Sequence, residues 1–257
     1  FEGASHLSSW DAQEVGSYEG HVGPMAIDAG RTYEGANAFY SDAPGRGAEV
    51  FSQALSAEGI SATLGEAGDP PAGAGAVAQV SSATMGEQLR WMLAHSDNTL
   101  ADQYCRFAAR AAGAPSTYDG ATETVRKTLT EAGVPTEGLT LEDCSGLSSN
   151  DKISAHTLVG VLKASYEGEG TEANTMRLLP WAGLVGTLSK RMTEEPAAGN
   201  VQAKTGALQE VTSLSGSVMT KSGRVLLVSI GHDNVTEGAY ATRGHLDAFE
   251  EGLAGLD

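Results

Sequence analysis

Three β-rich runs near the C-terminus, at residues 201–205, 213–219 and 225–230, constrain this chain more than any other feature. The middle run alternates Ser213, Leu214, Ser215, Gly216, Ser217 and Val218, a period of two that puts serines on one face and apolar groups on the other. The last run, Val225-Leu226-Leu227-Val228, does not alternate and therefore calls for cover on both faces. Thr220-Lys221-Ser222-Gly223 is a hairpin link between these two runs, and strands joined so briefly lie antiparallel. A closing helix at 237–253 carries Tyr240, Leu246, Phe249 and Leu253 towards the sheet.

Upstream the apolar period lengthens to that of a helix. Met85, Leu89, Met92 and Leu93 form one stripe of a helix at 85–95, broken by Ser96-Asp97-Asn98, and further helices are predicted at 100–112, 117–132 and 154–166. An earlier helix at 47–58 presents Val50, Phe51, Ala54 and Leu55, and short strands are predicted at 22–27, 60–64 and 77–81, the last two joined by a Pro/Gly loop at 68–76. Helices first and an antiparallel sheet with a terminal helix last define an α+β protein. Residues 84–200 make a mainly helical lobe and 201–257 the strands and final helix.

At 257 residues the chain can bury a full core without a metal or disulfide scaffold. A formal charge of −17 disfavours nucleic acid as a partner, and no apolar run is long enough to span a bilayer. The six histidines show no ligand spacing, so neither a metal nor a cofactor is expected. The sequence opens at Phe1 without an initiator Met, as a processed protein or a fragment would.

Two short motifs carry chemistry. Ser96-Asp97-Asn98 sits at a break between helices, where hydroxyl, carboxylate and amide leave the helical pattern. Ser-Asp-Asn is also ordinary capping chemistry. Lys204-Thr205-Gly206 ends a strand and offers an ammonium, a hydroxyl and a residue that admits another backbone. In this order they are two of the three elements of penicillin-recognising serine enzymes.

The stretches 92–102, 143–148 (Asp-Cys-Ser-Gly-Leu-Ser), 183–188 (Gly-Leu-Val-Gly-Thr-Leu) and 203–208 resemble successive blocks of the class C low-molecular-mass penicillin-binding proteins. These are serine D-alanyl-D-alanine carboxypeptidases and endopeptidases of the cell envelope. The resemblance runs from about residue 22 to 249 and takes in 51–76. It implies a transpeptidase-like fold, a helical lobe beside an antiparallel sheet flanked by helices, with the active site between them and an extracytoplasmic location. It implies that Ser96 relays a proton to the leaving D-alanine and Asn98 holds the substrate's peptide carbonyl. Lys204 supplies positive potential, and Thr205, with Gly206 beside it, gives a hydroxyl to the terminal carboxylate. The implied partners are peptidoglycan peptides ending in D-Ala-D-Ala, with β-lactams as inhibitors.

The family's nucleophile lies in a Ser-x-x-Lys upstream of Ser-Asp-Asn, and no Lys precedes Lys127 here. Ser149-Asn150-Asp151-Lys152 has the spelling but reads as a turn into the next helix. The chain is thus expected to be the C-terminal portion of a catalytic domain whose Ser-x-x-Lys helix is missing, and to be inactive in isolation. A non-catalytic homologue that binds wall peptides is the alternative. A class A β-lactamase would need a water-activating Glu-x-x-Leu-Asn, which neither Glu131 nor Glu137 heads. Cys144 stands where the family usually has Gly, and Ala207 where it commonly has Thr or Ser. Cys105 and Cys144 are open to two readings, a pair formed in an oxidising envelope or two buried thiols.

Overall fold

The computed structural model describes residues 2–10, 15–23, 26–66, 68, 71–168 and 175–257. Among these the chain forms helices α1 (Ala43–Ala57), α2 (Met85–His95), α3 (Asn98–Ala111), α4 (Tyr118–Glu131) and α5 (Ala155–Glu167). Strands β1 (Val201–Ala207), β2 (Thr212–Met219) and β3 (Val225–His232) follow, and α6 (Ala239–Ala254) closes the chain. The α+β class is that read from the sequence.

Helices α1 to α5 each begin where a short polar side chain takes an otherwise unpaired N–H. Asp42, Thr84, Asp97, Thr117 and Ser154 accept from the amides of Gly45, Glu87, Leu100, Gly120 and Thr157. Glu87 returns the favour to the Thr84 backbone, completing a capping box. The Asp42 cap and Pro44 in the first turn start α1 at Ala43, ahead of the expected residue 47.

The sheet is antiparallel throughout, in the order β1-β2-β3. On one face Val201, Ala203, Leu214 and Val218, with Val228 and Ile230, pack against Leu246, Leu253 and Ala254 of α6. The turns at 182–197 add Ala182, Leu188, Met192 and Ala197 to that core. On the other face Leu227 joins Leu93, Leu162, Met176 and Leu179, so β3 is covered on both sides as its unalternated sequence requires. Of the β2 serines Ser217 is buried and Ser213 and Ser215 are half-buried, and Ser215 bonds Ser229 across the sheet at 2.9 Å. Lys204 pairs in register with Ser215 on that same face.

Several expectations fail. Residues 60–64 and 77–81 are not strands, and every described residue from 56 to 87 is exposed. A strand needs a neighbour for its N–H and C=O groups, and among the described residues no strand pairs with these segments. In the expected strand 22–27, residues 24 and 25 lie outside the described residues and the others form no ladder; residues 69–70 of the 68–76 loop also lie outside them. Phe51 of the α1 stripe is exposed, as are Tyr240 and Phe249 of α6. In α6 the covered face is instead Ala239, Leu246, Glu250 and Ala254, and Tyr240 lies off it, about 120° round the helix from Leu246.

Cys105 and Cys144 form a disulfide that ties α3 to the 143–148 loop across a separation of 39 residues. Loop-closure entropy for such a span corresponds to about 4 kcal/mol. The double variant Cys105→Ser, Cys144→Ser is therefore expected to lose about 2–4 kcal/mol in urea unfolding; an unchanged midpoint would contradict a stabilising bond.

Glu250 is 1% exposed with Oε2 unpartnered, and burial, reinforced by Asp247 and opposed by Arg191, raises its pKa from 4.5 to about 7. The folded carboxyl keeps its proton across a range in which the unfolded chain has lost it. Stability contributed by this group is full below about pH 4.5 and is lost as pH rises through about 7. Glu250→Gln is expected to shrink the fall in melting temperature between pH 5 and 7.5, measured by differential scanning calorimetry, whereas an equal fall in both proteins would refute the assignment.

Candidate active site

The α2–α3 break is a forced corner. Ser96 ends α2 at φ 54°, ψ 52°, in the left-handed region, which costs a non-glycine residue roughly 1 kcal/mol or more. Asp97 pins the corner from behind. Its fully buried carboxylate caps α3 through the Leu100 amide at 2.9 Å and pairs with the Arg31 guanidinium. With the corner held, the Ser96 hydroxyl faces β1.

From β1, the Lys204 ammonium donates to Ser96 Oγ at 2.7 Å and to the Thr205 carbonyl at 2.6 Å. Burial lowers the Lys204 pKa from 10.5 to about 8, because a desolvated ammonium is harder to keep charged. The Thr205 hydroxyl donates to Thr187 Oγ1 at 3.2 Å. At Gly206 a Cβ would stand 2.3 Å from Ser213 Oγ, so the absence of a side chain leaves that strand crossing uncrowded.

Ser96 and Lys204 thus meet although 108 residues separate them, and Thr205 and Gly206 follow directly on the same strand. Asn98 does not join them. Its Nδ2 donates to the Tyr18 carbonyl at 3.1 Å, and next to it the Gly20 amide donates to Thr99 Oγ1 at 2.9 Å, stitching the 15–20 segment to the start of α3. Between these stitches Glu19 is wholly buried beside Asp102. Burial, then the Asp102 charge, raises the Glu19 pKa well above normal, and burial, then Asp143, raises Asp102 to about 6.

The 143–148 loop is built around buried Asp143, which accepts from Trp10 Nε1 and from the Gly146 and Ser148 amides at 2.6–2.8 Å. In the following turn Lys152 Nζ donates to the Ser149 main-chain carbonyl at 3.0 Å, and both side chains lie in exposed residues. That arrangement does not prepare Ser149 for attack, since Lys152 Nζ is held on the main-chain carbonyl. Among the described residues no group of three or more His, Cys, Asp or Glu is placed to hold a metal.

Arg31, Tyr18, Gly186 and Thr187 also shape this region, and the sequence reading gave none of them a role. For Arg31 and Tyr18 nothing local could have done so, because their contacts with Asp97 and Asn98 span 66 and 80 residues. Gly186 and Thr187 lie in one of the resemblance blocks, so that block was the available signal.

Residues 37–252 match the D-Ala-D-Ala carboxypeptidase 3 (S13) family. Carboxypeptidase DacB of Mycolicibacterium smegmatis is 34% identical over 247 residues, which cover 91% of this chain and 52% of that protein. The D-alanyl-D-alanine carboxypeptidase of an Actinomadura species is 32% identical over 195 residues, 71% of this chain and 36% of that one. A crystal structure of penicillin binding protein 4 from Haemophilus influenzae, complexed with a β-lactam, superposes with a TM-score of 0.67 at 27% identity, covering 84% of this chain and 51% of that chain. The chain belongs to the S13 family and has the fold of penicillin-binding proteins. It spans about half the length of the first two curated relatives it matches.

In a lysine Cε NMR titration, one resonance, absent from Lys204→Arg, is expected to titrate near pH 8, below the ordinary 10.5. A midpoint above 10 would show that Lys204 is not desolvated.

Proposed function

We propose that these residues form the substrate-holding and proton-relaying part of a serine D-alanyl-D-alanine carboxypeptidase or endopeptidase, acting on peptidoglycan stem peptides and inhibited by β-lactams. The observation that carries this reading is the 2.7 Å contact between Lys204 Nζ and Ser96 Oγ. An ammonium on the serine hydroxyl can hold and return a proton while its charge draws an anionic substrate. Lys204 and Thr205 receive the terminal carboxylate, Gly206 lets the peptide lie close, and Ser96 passes a proton to the departing D-alanine. Asn98 holds the peptide carbonyl once its amide leaves the Tyr18 carbonyl to which it donates.

Ser149, which heads the chain's one Ser-x-x-Lys spelling, is not the acylating serine in this reading, being exposed and bonded to Lys152 only through its main-chain carbonyl. The Cys105–Cys144 bond supports an extracytoplasmic setting, where disulfides persist. No described helix is long and apolar enough to cross a membrane.

Calorimetric titration of the chain with an N-acylated peptide ending in D-Ala-D-Ala tests the binding role. Lys204→Ala is expected to weaken it roughly ten-fold or more, as loss of a charged hydrogen bond does. Equal affinity in the two proteins would overturn the reading. Intact-mass spectrometry after incubation with a penicillin should show no adduct on the 257-residue chain, and an adduct mapped to any of its serines would overturn the assignment of the nucleophile.

A further inference from the structure

One short turn touches both halves of the site. Gly186, at φ +60°, lies so near the end of α2 that a Cβ there would stand 2.2 Å from the Ala94 carbonyl oxygen, two residues before Ser96. Leu188, at the other end of the turn, is wholly buried with Val201 and Ala203 of β1. Its carbonyl also accepts the Gly183 amide at 3.0 Å. Thr187 is held between these fixed points with its hydroxyl on that of Thr205.

We propose that Thr187 is a positioning residue that sets the Thr205 hydroxyl for a peptide with a free terminal carboxylate, as against one with a neutral end. The proposal rests on the reading of Lys204 and Thr205 as the carboxylate subsite. A hydroxyl has one proton to give and two lone pairs to receive with. In the structure the Thr205 proton is spent on Thr187. A carboxylate only accepts, so Thr205 must turn its proton to the ligand, and Thr187 then donates its own proton to the Thr205 oxygen. The direction of the pair then reverses, and a hydroxyl that accepts a hydrogen bond donates a stronger one. A terminal amide can donate its N–H to Thr205 as it stands and draws nothing from the reversal.

The test compares an N-acylated peptide ending in D-Ala-D-Ala with its C-terminal amide, titrated into the 257-residue chain and its variants. Thr187→Val keeps the shape of the side chain and removes the hydroxyl; Thr187→Ser keeps the hydroxyl. Wild type is expected to prefer the acid, Thr187→Val to bind the acid about three- to ten-fold more weakly with the amide unchanged, and Thr187→Ser to restore the preference. If wild type shows no preference for the acid, the carboxylate subsite fails and this proposal with it. If wild type prefers the acid and Thr187→Val keeps that preference, the proposal alone fails. Equal weakening of acid and amide, or no rescue by Thr187→Ser, also overturns it, because Thr187 would then be a structural residue only. Thr187→Ala replaces Thr187→Val in the same comparison should the valine variant not fold.

Discussion

A buried carboxylate at a helix corner holds the rest of the site in place. Asp97 ends one helix and begins the next, and at the same time neutralises Arg31 from a distant part of the chain. Fully desolvated, it is tolerable only with both partners present. That double engagement keeps Ser96 in the left-handed conformation it would otherwise leave, and the backbone contact of Gly186 on Ala94 closes the same corner from the other side. Ser96 meets Lys204 because the corner does not relax. Of the Ser-Asp-Asn triplet, the middle residue is thus the architectural one.

The protein is strongly acidic, yet its interior charges are arranged with local economy. Lys204 donates two of its three ammonium protons, to the Ser96 hydroxyl and the Thr205 carbonyl, so burial lowers its pKa without leaving it unpaired. Burial raises the pKa values of the carboxyls Glu19, Asp102 and Glu250, and at Glu250 Arg191 opposes that rise only in part. Arg106 is buried too, but it spends its donors on the Ser116, Ala4 and Glu2 carbonyls and so fastens the N-terminal segment to α3. The Cys105–Cys144 bond adds a covalent tie on the same helix. Helix α3 is therefore anchored by both a buried guanidinium and a disulfide.

β3 is apolar, is covered on both faces, and has no strand against its outer edge among the described residues. The described residues of 56–87, Ile60, Leu64, Val77 and Val80 among them, are exposed and form no strand, although the sequence of 60–64 and 77–81 reads as strands.

What the sequence determined by itself was whatever depends on near neighbours along the chain. The 3.6-residue stripes and capping residues set α2, α4 and α5 almost to the residue, and the period of two with a short link set the β2–β3 hairpin. Ser-Asp-Asn at a helix break and Lys-Thr-Gly on a strand marked the chemistry, because a break and a strand end are local events. Only the tertiary structure decided which of those groups meet. Asn98 turned to the Tyr18 carbonyl and Thr205 to Thr187, Asp97 found Arg31, and the two cysteines bonded. Each of these contacts joins residues 18 to 80 positions apart. Their formation is set by how segments distant in the sequence pack together, which no local pattern encodes, since periodicity says which face of an element is buried but not against what.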